Sequence, residues 1–395
     1  MKKPNLLLAV LLPIVLIIGL WIGAHPGNLP GPAKDALGYN DTQQSLEDSI
    51  EVVHDRYYRK IPSSVLADSA IAGMVKSLGD QFSHYFNPKE YKEFLEQQDS
   101  RFSGIGTAVT GDPRGLRVRD VYNGSPAKDA GMKAGDLVTE VNGKSLKGLS
   151  EEQAVTRLRG EPGTDVTIVT DRDGKTKKLT ITRATVNLPS VASRTVKVGD
   201  KKIGVIRLAQ FTNGAHAEVE AAVQKEIKNG ADGIVFDLRG NPGGLVNEAQ
   251  LVTSVFVENG VVVTTRGRNS PKMVLKATGD ATAPKIPMVV LVDKNSASAA
   301  EIVAGALQDH KRAKLIGDRT FGKGVFQEVL TLPNGGALDI TAGQYFTPSG
   351  RNLGGSGVKT GDGLQPDIKV KDRAKTKGDE QLNRALDELK SELKQ

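Results

Sequence analysis

The sequence predicts a multidomain α+β chain, and three observations carry that prediction. An apolar run sits at the extreme N-terminus, short β-type runs separated by glycine fill the middle, and strand-like and helical runs alternate over most of the second half. At 395 residues the chain is long enough for several domains, each with its own core. The expected divisions are an anchor or signal at 1–24, a linker at 25–44 and a helical region at 45–100. A compact mixed-β domain at 101–186, a layered α/β domain at 187–375 and a terminal helix at 376–395 complete the chain.

Lys2 and Lys3 precede an apolar run from Leu6 to Ala24, broken only by Pro13 and followed by the Gly/Pro-rich stretch HPGNLPGPAKD. The run is long enough to cross a bilayer as a helix. The two lysines would stay inside and place the rest outside the cytoplasm. The expectation is an uncleaved single-pass anchor; the alternative is a signal removed after Ile22-Gly23-Ala24, leaving a secreted or periplasmic chain. The net charge is +7, but basic and acidic residues are interspersed, so no nucleic-acid partner is expected. There is no cysteine, which excludes thiolate metal sites, disulfides and a cysteine nucleophile. His25, His54, His84, His216 and His310 lie far apart without metal-ligand spacing, and no metal or cofactor is expected.

From about Ser45 to Gln98 the pattern is helical. Ile50, Val53, His54 and Tyr57 share one face, and Val65, Ala70, Met74, Val75 and Leu78 mark a second helix. Asn87 is placed to cap a third, with Pro88 in its first turn. Near Phe102 the texture changes. NGSPA sets a turn before a short helix, VNGKS and RDGKT are hairpin turns, SEEQAVTRLRG is helical, and TDVTIVT and KKLTITR alternate apolar with polar. This stretch resembles a PDZ domain. Such domains add a peptide's C-terminal end as a strand and capture its carboxylate on backbone N–H groups. In that reading Gly104, Ile105 and Gly106 form the capture loop; the alternative is a Gly-rich turn without a ligand.

After VNLPSVASR, strands and helices alternate through KIGVIRLAQF, AHAEVEAAVQKEIKNG, DGIVFDLRGNPGG, LVNEAQLVTSVF, IPMVVLVDKNSAS and AAEIVAGALQDH. KLIGDRT, VFQEVLTL, ALDITAGQYF and DIKVKD then read as strands without helices between them. Leu382, Leu386, Leu389 and Leu393 lie at helical spacing near the C-terminus, either as a packing stripe or as a contact to another subunit.

Three segments carry chemistry. In NSASAAE, Ser298 follows a buried-type strand and opens a helix, whose free N–H groups suit an oxyanion. Ser298 and Glu301 also fit a capping box, which needs no catalysis. In TFGKGVFQ, Lys323 works as a base only if burial lowers its pKa, and its sequence neighbours include no carboxylate to hold it charged. Gln327 would orient the amine. Gly317 to Lys323 also fits the first seven positions of a phosphate-binding loop, but Gly324 stands where Ser or Thr is needed and a strand follows. In DLRGNPGGL, a glycine turn exposes N–H groups of the kind that hold a tetrahedral oxyanion.

Together GIVFDLRGNPGGL, VDKNSASAAEIVAGAL, IGDRTFGKGVFQ and YFTPSGR, with the PDZ-like insert, resemble the carboxyl-terminal processing peptidases, serine proteases of family S41. The resemblance implies an α/β catalytic core of the S41 type with Ser298 as nucleophile, Lys323 as base and Gln327 as third member. It also implies an oxyanion hole from the N–H groups of Gly244 and Ala299. In relatives an arginine of the PDZ domain couples peptide capture to assembly of the site; here that position is Arg159. Two departures stand out: SASAAE where many relatives read SASASE, and extra residues in GSGVKTGDGLQPDI.

The function implied is a membrane-anchored Ser/Lys endopeptidase that grips the exposed C-terminal tail of a protein and cleaves near it. An occupied PDZ domain would complete the site by population shift. A tail-binding scaffold or holdase without turnover is the rival reading, and homo-oligomerisation is left open.

Overall fold

The computed structural model describes residues 40–355, 358–371 and 378–394. The anchor expected at 1–24 and most of the linker lie outside them. Among the described residues no helix is long and apolar enough to cross a membrane.

The chain forms two compact units, one ending at Leu78 and the other starting at Gly79. In the first, α1 (Asp41–Arg56) is capped by the Asn40 side chain, which accepts from the Thr42 N–H, and α2 (Ser63–Lys76) follows Pro62. The boundary cuts through the segment expected as one helical region. Beyond it, β1 (His84–Phe86) pairs antiparallel with residues 337–339, which ties this stretch to the chain's second half. Helix α3 (Pro88–Gln98) then starts on a reciprocal cap. Asn87 accepts from the Lys89 and Glu90 N–H groups, and Glu90 accepts from Asn87.

The insert comprises β2 (Arg101–Gly104), β3 (Thr107–Asp112), β4 (Gly115–Val121), α4 (Pro126–Asp129), β5 (Leu137–Val141) and β6 (Lys144–Ser145). It closes with α5 (Glu151–Leu158), β7 (Asp165–Arg172), β8 (Lys175–Thr182) and β9 (Ala184–Asn187). Its antiparallel sheet runs β3-β4-β5-β7-β8, while β2 pairs with β9 where the chain enters and leaves. The Asn142-Gly143 and Asp173-Gly174 pairs all have positive φ, as two-residue hairpin turns of this twist require. Leu116, Val118, Val138, Leu146, Val166 and Ile168 fill the core.

The remaining elements are β10 (Val191–Val198), β11 (Lys201–Leu208), α6 (Ala215–Lys228), β12 (Gly233–Asp237), α7 (Val246–Ser254), β13 (Val261–Gly267) and β14 (Met273–Lys276). They continue with β15 (Met288–Val292), α8 (Ala299–Asp309), β16 (Lys314–Gly317), β17 (Val325–Thr331), β18 (Ala337–Phe346), β19 (Ile368–Lys369) and α9 (Glu380–Glu392). One sheet runs β10-β11-β12-β15-β16-β19, parallel except for β10. Both of its faces are covered, so its central strands are apolar throughout. Phe236, Val290 and Val292 join the core shared with α6, α7 and α8, while Val235, Val289 and Leu291 meet Leu382, Leu386 and Leu389 of α9. The C-terminal leucine stripe is therefore packing within the chain. A second sheet, β1-β18-β13-β14 with β17 on β18, contains the two strands, β17 and β18, that follow the Lys323 loop.

Candidate active site

The turn between β15 and α8 is locked onto the loop that follows β12. Ser296 Oγ donates to the Leu238 carbonyl at 2.8 Å, the Ala297 N–H to the Asn241 carbonyl at 3.0 Å, and the Gly240 N–H to Asp293 at 2.9 Å. Asn241, wholly buried, donates to the Leu208 carbonyl and accepts from the Gly243 N–H. Ser298, the first residue after this lock, has φ 53° and ψ −117°. A non-glycine residue in this region carries about 1–3 kcal/mol of strain, and such strain gathers at functional sites.

Gly243 and Gly244 reach across to the serine with φ 104° and 140°. A Cβ at 243 would lie 3.0 Å from the Ala299 nitrogen, and one at 244 only 2.2 Å from the Phe211 carbonyl oxygen. Among the described residues, no hydrogen bond uses the N–H of Gly244 or of Ala299. Two free donors thus flank the serine at a helix N-terminus, an arrangement suited to a developing oxyanion.

Glu301 ties the serine to the lysine. Fully buried, it accepts from the Ser298 N–H at 3.0 Å, the Thr320 hydroxyl at 2.5 Å, the Gly322 N–H at 2.8 Å and the Lys323 N–H at 2.9 Å. Burial pushes its carboxyl up, with these hydrogen bonds acting in the opposite direction. The S-x-x-E spacing signalled half of this role, the bond to Ser298; the bonds to the Lys323 loop join segments distant in sequence.

Lys323 Nζ donates to Gln327 Oε1 at 2.6 Å, not to Ser298, and lies 5.1 Å from the centroid of the Phe82 ring. Gln327 Nε2 in turn donates to Thr341 Oγ1 at 3.1 Å. Burial lowers the lysine's pKa, while Asp339, Asp80 and Glu301 raise it without reversing the shift. The absence of carboxylates near Lys323 in sequence is therefore not their absence in space: β18, the segment before β1 and α8 bring three. Gly317 ends a strand and β17 follows Gly324, so the phosphate-loop likeness has no helix to complete it.

Arg239, which sequence reasoning passed over, sits at the base of the glycine loop. It bonds buried Asp237 through Nε and Nη2, and Asp379 at the cap of α9 through Nη1 and Nη2. The loop and the terminal helix are thereby joined.

The insert carries a groove of ≈ 450 Å³ lined by Phe102, Gly104, Ile105, Gly106, Leu158 and Arg159, among others. The N–H groups of Ile105 and Gly106 have no acceptor among the described residues, whereas their carbonyls accept from Ala127 and Tyr122. Gly106 has φ 84°, and a Cβ there would fall 2.2 Å from that of Ser125. His216 pairs with buried Glu248, His310 with the Val261 carbonyl, and no metal-holding cluster occurs among the described residues.

Residues 202–370 match the model of peptidase family S41, and residues 103–182 match a PDZ domain. A probable CtpA-like serine protease of Staphylococcus saprophyticus is 35% identical over 336 residues, covering 85% of this chain and 66% of that relative. The chain belongs to peptidase family S41. A second such relative, from Staphylococcus aureus strain COL, is 35% identical over 339 residues with 84% and 66% covered. The chain thus spans just under two thirds of the length of these curated relatives. Residues 32–90 match the N-terminal domain of the activating protease CtpB. Among solved structures, the photosystem II D1 C-terminal processing protease superposes with a TM-score of 0.50 at 28% identity, over 88% of this chain and 96% of that one.

Proposed function

We propose that this S41 protein is a serine endopeptidase that grips the C-terminal tail of a protein substrate and cleaves near it, with Ser298 as nucleophile and Lys323 as base. The observation that carries the reading is the buried Glu301 carboxylate, which holds the Ser298 N–H and the Lys323 N–H on the same oxygen, Oε2. The relatives' names, a CtpA-like serine protease and a C-terminal processing protease, support the same reaction and the same end of the substrate.

In the first step the neutral Lys323 amine removes the Ser298 hydroxyl proton as Oγ attacks the scissile carbonyl. Negative charge on the carbonyl oxygen is met by the Gly244 and Ala299 N–H groups. The C–N bond breaks as the Lys323 ammonium protonates the leaving amine, giving an acyl-serine and a free amine. Water then attacks the acyl-serine with Lys323 again taking the proton, releasing the acid and restoring Ser298. Gln327 Oε1 accepts from the amine throughout and so restricts where it points.

The groove with the free Ile105 and Gly106 N–H groups is the tail-binding site in this reading. Arg159 at the end of α5 links its occupancy to turnover, and the Lys2/Lys3-flanked apolar run holds the catalytic part outside the cytoplasm. The decisive measurement is mass spectrometry of an unstructured, tail-bearing protein incubated with wild type, Ser298→Ala and Lys323→Ala. Cleavage by wild type alone supports the dyad; cleavage retained by either variant overturns it.

A further inference from the structure

Gln327 has two nearly isosteric orientations, and only one of them serves a lysine base. With Oε1 toward Lys323, the amide can only accept, so the amine donates an N–H and its lone pair stays free for the serine proton. With the amide turned over, Nε2–H would occupy that lone pair. The side chain that meets the other end of the amide is Thr341, on β18, whose Oγ1 accepts from Nε2 at 3.1 Å. A hydroxyl both donates and accepts, so Thr341 cannot impose a direction unless its own proton is committed elsewhere.

The commitment comes from the segment before β1. Asp80 accepts from the Phe82 N–H at 2.9 Å and from Ser83 Oγ at 2.5 Å. Ser83 has thus given its proton to Asp80, and its oxygen accepts from the Thr341 N–H at 3.0 Å. Burial works against ionisation of Asp80, but the bonds from Ser83 and the Phe82 N–H, with the Thr341 side chain and His84 acting the same way, hold its carboxyl below the ordinary value. An ionised carboxylate is acceptor-only and draws the Thr341 proton toward itself.

We infer that Asp80 and Thr341 are positioning residues: the carboxylate orients the Thr341 hydroxyl, the hydroxyl orients the Gln327 amide, and the amide holds Lys323 with its lone pair free. The inference deepens the proposed function and rests on Lys323 being the base. It also gives a task to the strap of residues 80–86, which packs Phe82 beside the amine and pairs β1 with β18. The charged groups bearing on Lys323 are Asp339 from β18, Asp80 from the strap and Glu301 from α8, with His84 acting on both aspartates.

The test measures kcat, KM and the pH profile of kcat on a tail-bearing protein for full-length wild type, Thr341→Val, Thr341→Ser and Asp80→Asn, with Lys323→Ala as reference. Thr341→Val should lower kcat about tenfold or more with KM within about twofold, and Thr341→Ser should return it to within about threefold of wild type. Asp80→Asn should lower the plateau of kcat while moving the acid limb to lower pH, because a negative charge near Lys323 is gone. A wild-type plateau in Asp80→Asn, or Thr341→Ser falling as far as Thr341→Val, overturns the relay. If Thr341→Val does not fold, the Asp80→Asn and Thr341→Ser results decide alone. Activity that survives Lys323→Ala defeats the dyad reading itself, whereas Lys323-dependent cleavage indifferent to Thr341→Val and Asp80→Asn defeats only the relay.

Discussion

Gly243 lies so close beneath Ser298 that a Cβ added to the glycine would sit 2.7 Å from the serine's own Cβ. The same methyl would lie 2.8 Å from the Ala297 carbonyl oxygen, and the backbone there has φ 104°. Neither contact is with a flexible chain end, so the strand-to-helix corner would have to move. Gly243→Ala is expected to lower turnover about 100-fold or more and to destabilise the fold by about 1–3 kcal/mol. Activity assays beside urea denaturation check this; a variant with wild-type turnover would show that the corner has slack.

Glu301 offers a sharper test, because its donors come from both sides of the site. Glutamine in its place keeps the shape but has one acceptor oxygen and brings an NH2 group against backbone N–H donors. Glu301→Gln should therefore cost about 2–4 kcal/mol of stability and uncouple the Ser298 corner from the Lys323 loop, with turnover falling further than stability explains. Thermal melts and single-turnover cleavage separate the two effects. Unchanged values in both would remove Glu301 from the site.

Which parts of this were legible in sequence follows from how far each contact reaches. Asn87 with Glu90, the Asn142-Gly143 and Asp173-Gly174 turns and the all-buried strand over Met288–Val292 depend on neighbours a few residues away, and pattern alone locates them. The Ser298, Lys323 and Gln327 candidates came from the motifs NSASAAE and TFGKGVFQ, and the structure brings Gln327 to Lys323 and, through Glu301, the serine and lysine loops together. The Asp80–Ser83–Thr341 chain was not legible, because Thr341 lies 258 positions from Ser83 and meets it only when β1 joins β18. The same holds for Arg239, whose partner Asp379 lies 140 positions away. An arginine beside an aspartate reads as surface charge until a distant helix covers it.

That arginine leads to a prediction on the C-terminal helix. Asp237 is buried, and Arg239 neutralises it while reaching Asp379 at the start of α9. Arg239→Leu leaves the Asp237 carboxylate without that charge partner, at a cost of about 3–5 kcal/mol. The double variant Asp237→Asn/Arg239→Leu should recover part of it. Limited proteolysis in the stretch between β19 and α9 should accelerate in Arg239→Leu if the latch holds the helix; unchanged cleavage and unchanged denaturation midpoints would refute it.

The buried lysine makes the last prediction, on stability against pH. Burial lowers the Lys323 pKa despite Asp339, Asp80 and Glu301, so the folded chain releases this proton at a lower pH than the unfolded chain, where lysine titrates near about 10.4. Between those two values the unfolded state binds more protons, and stability rises with pH. Below the folded value the full burial penalty applies; above about 10.4 it has vanished. Replacing the amine with an apolar chain removes this dependence. The stability of Lys323→Met relative to wild type should therefore be greatest below the folded Lys323 pKa and shrink steadily as the pH rises from there to about 10. Urea titrations of both proteins at a series of pH values measure the difference directly. A difference that grows with pH would mean that the carboxylates hold Lys323 charged, and the amine could not then serve as a base at neutral pH.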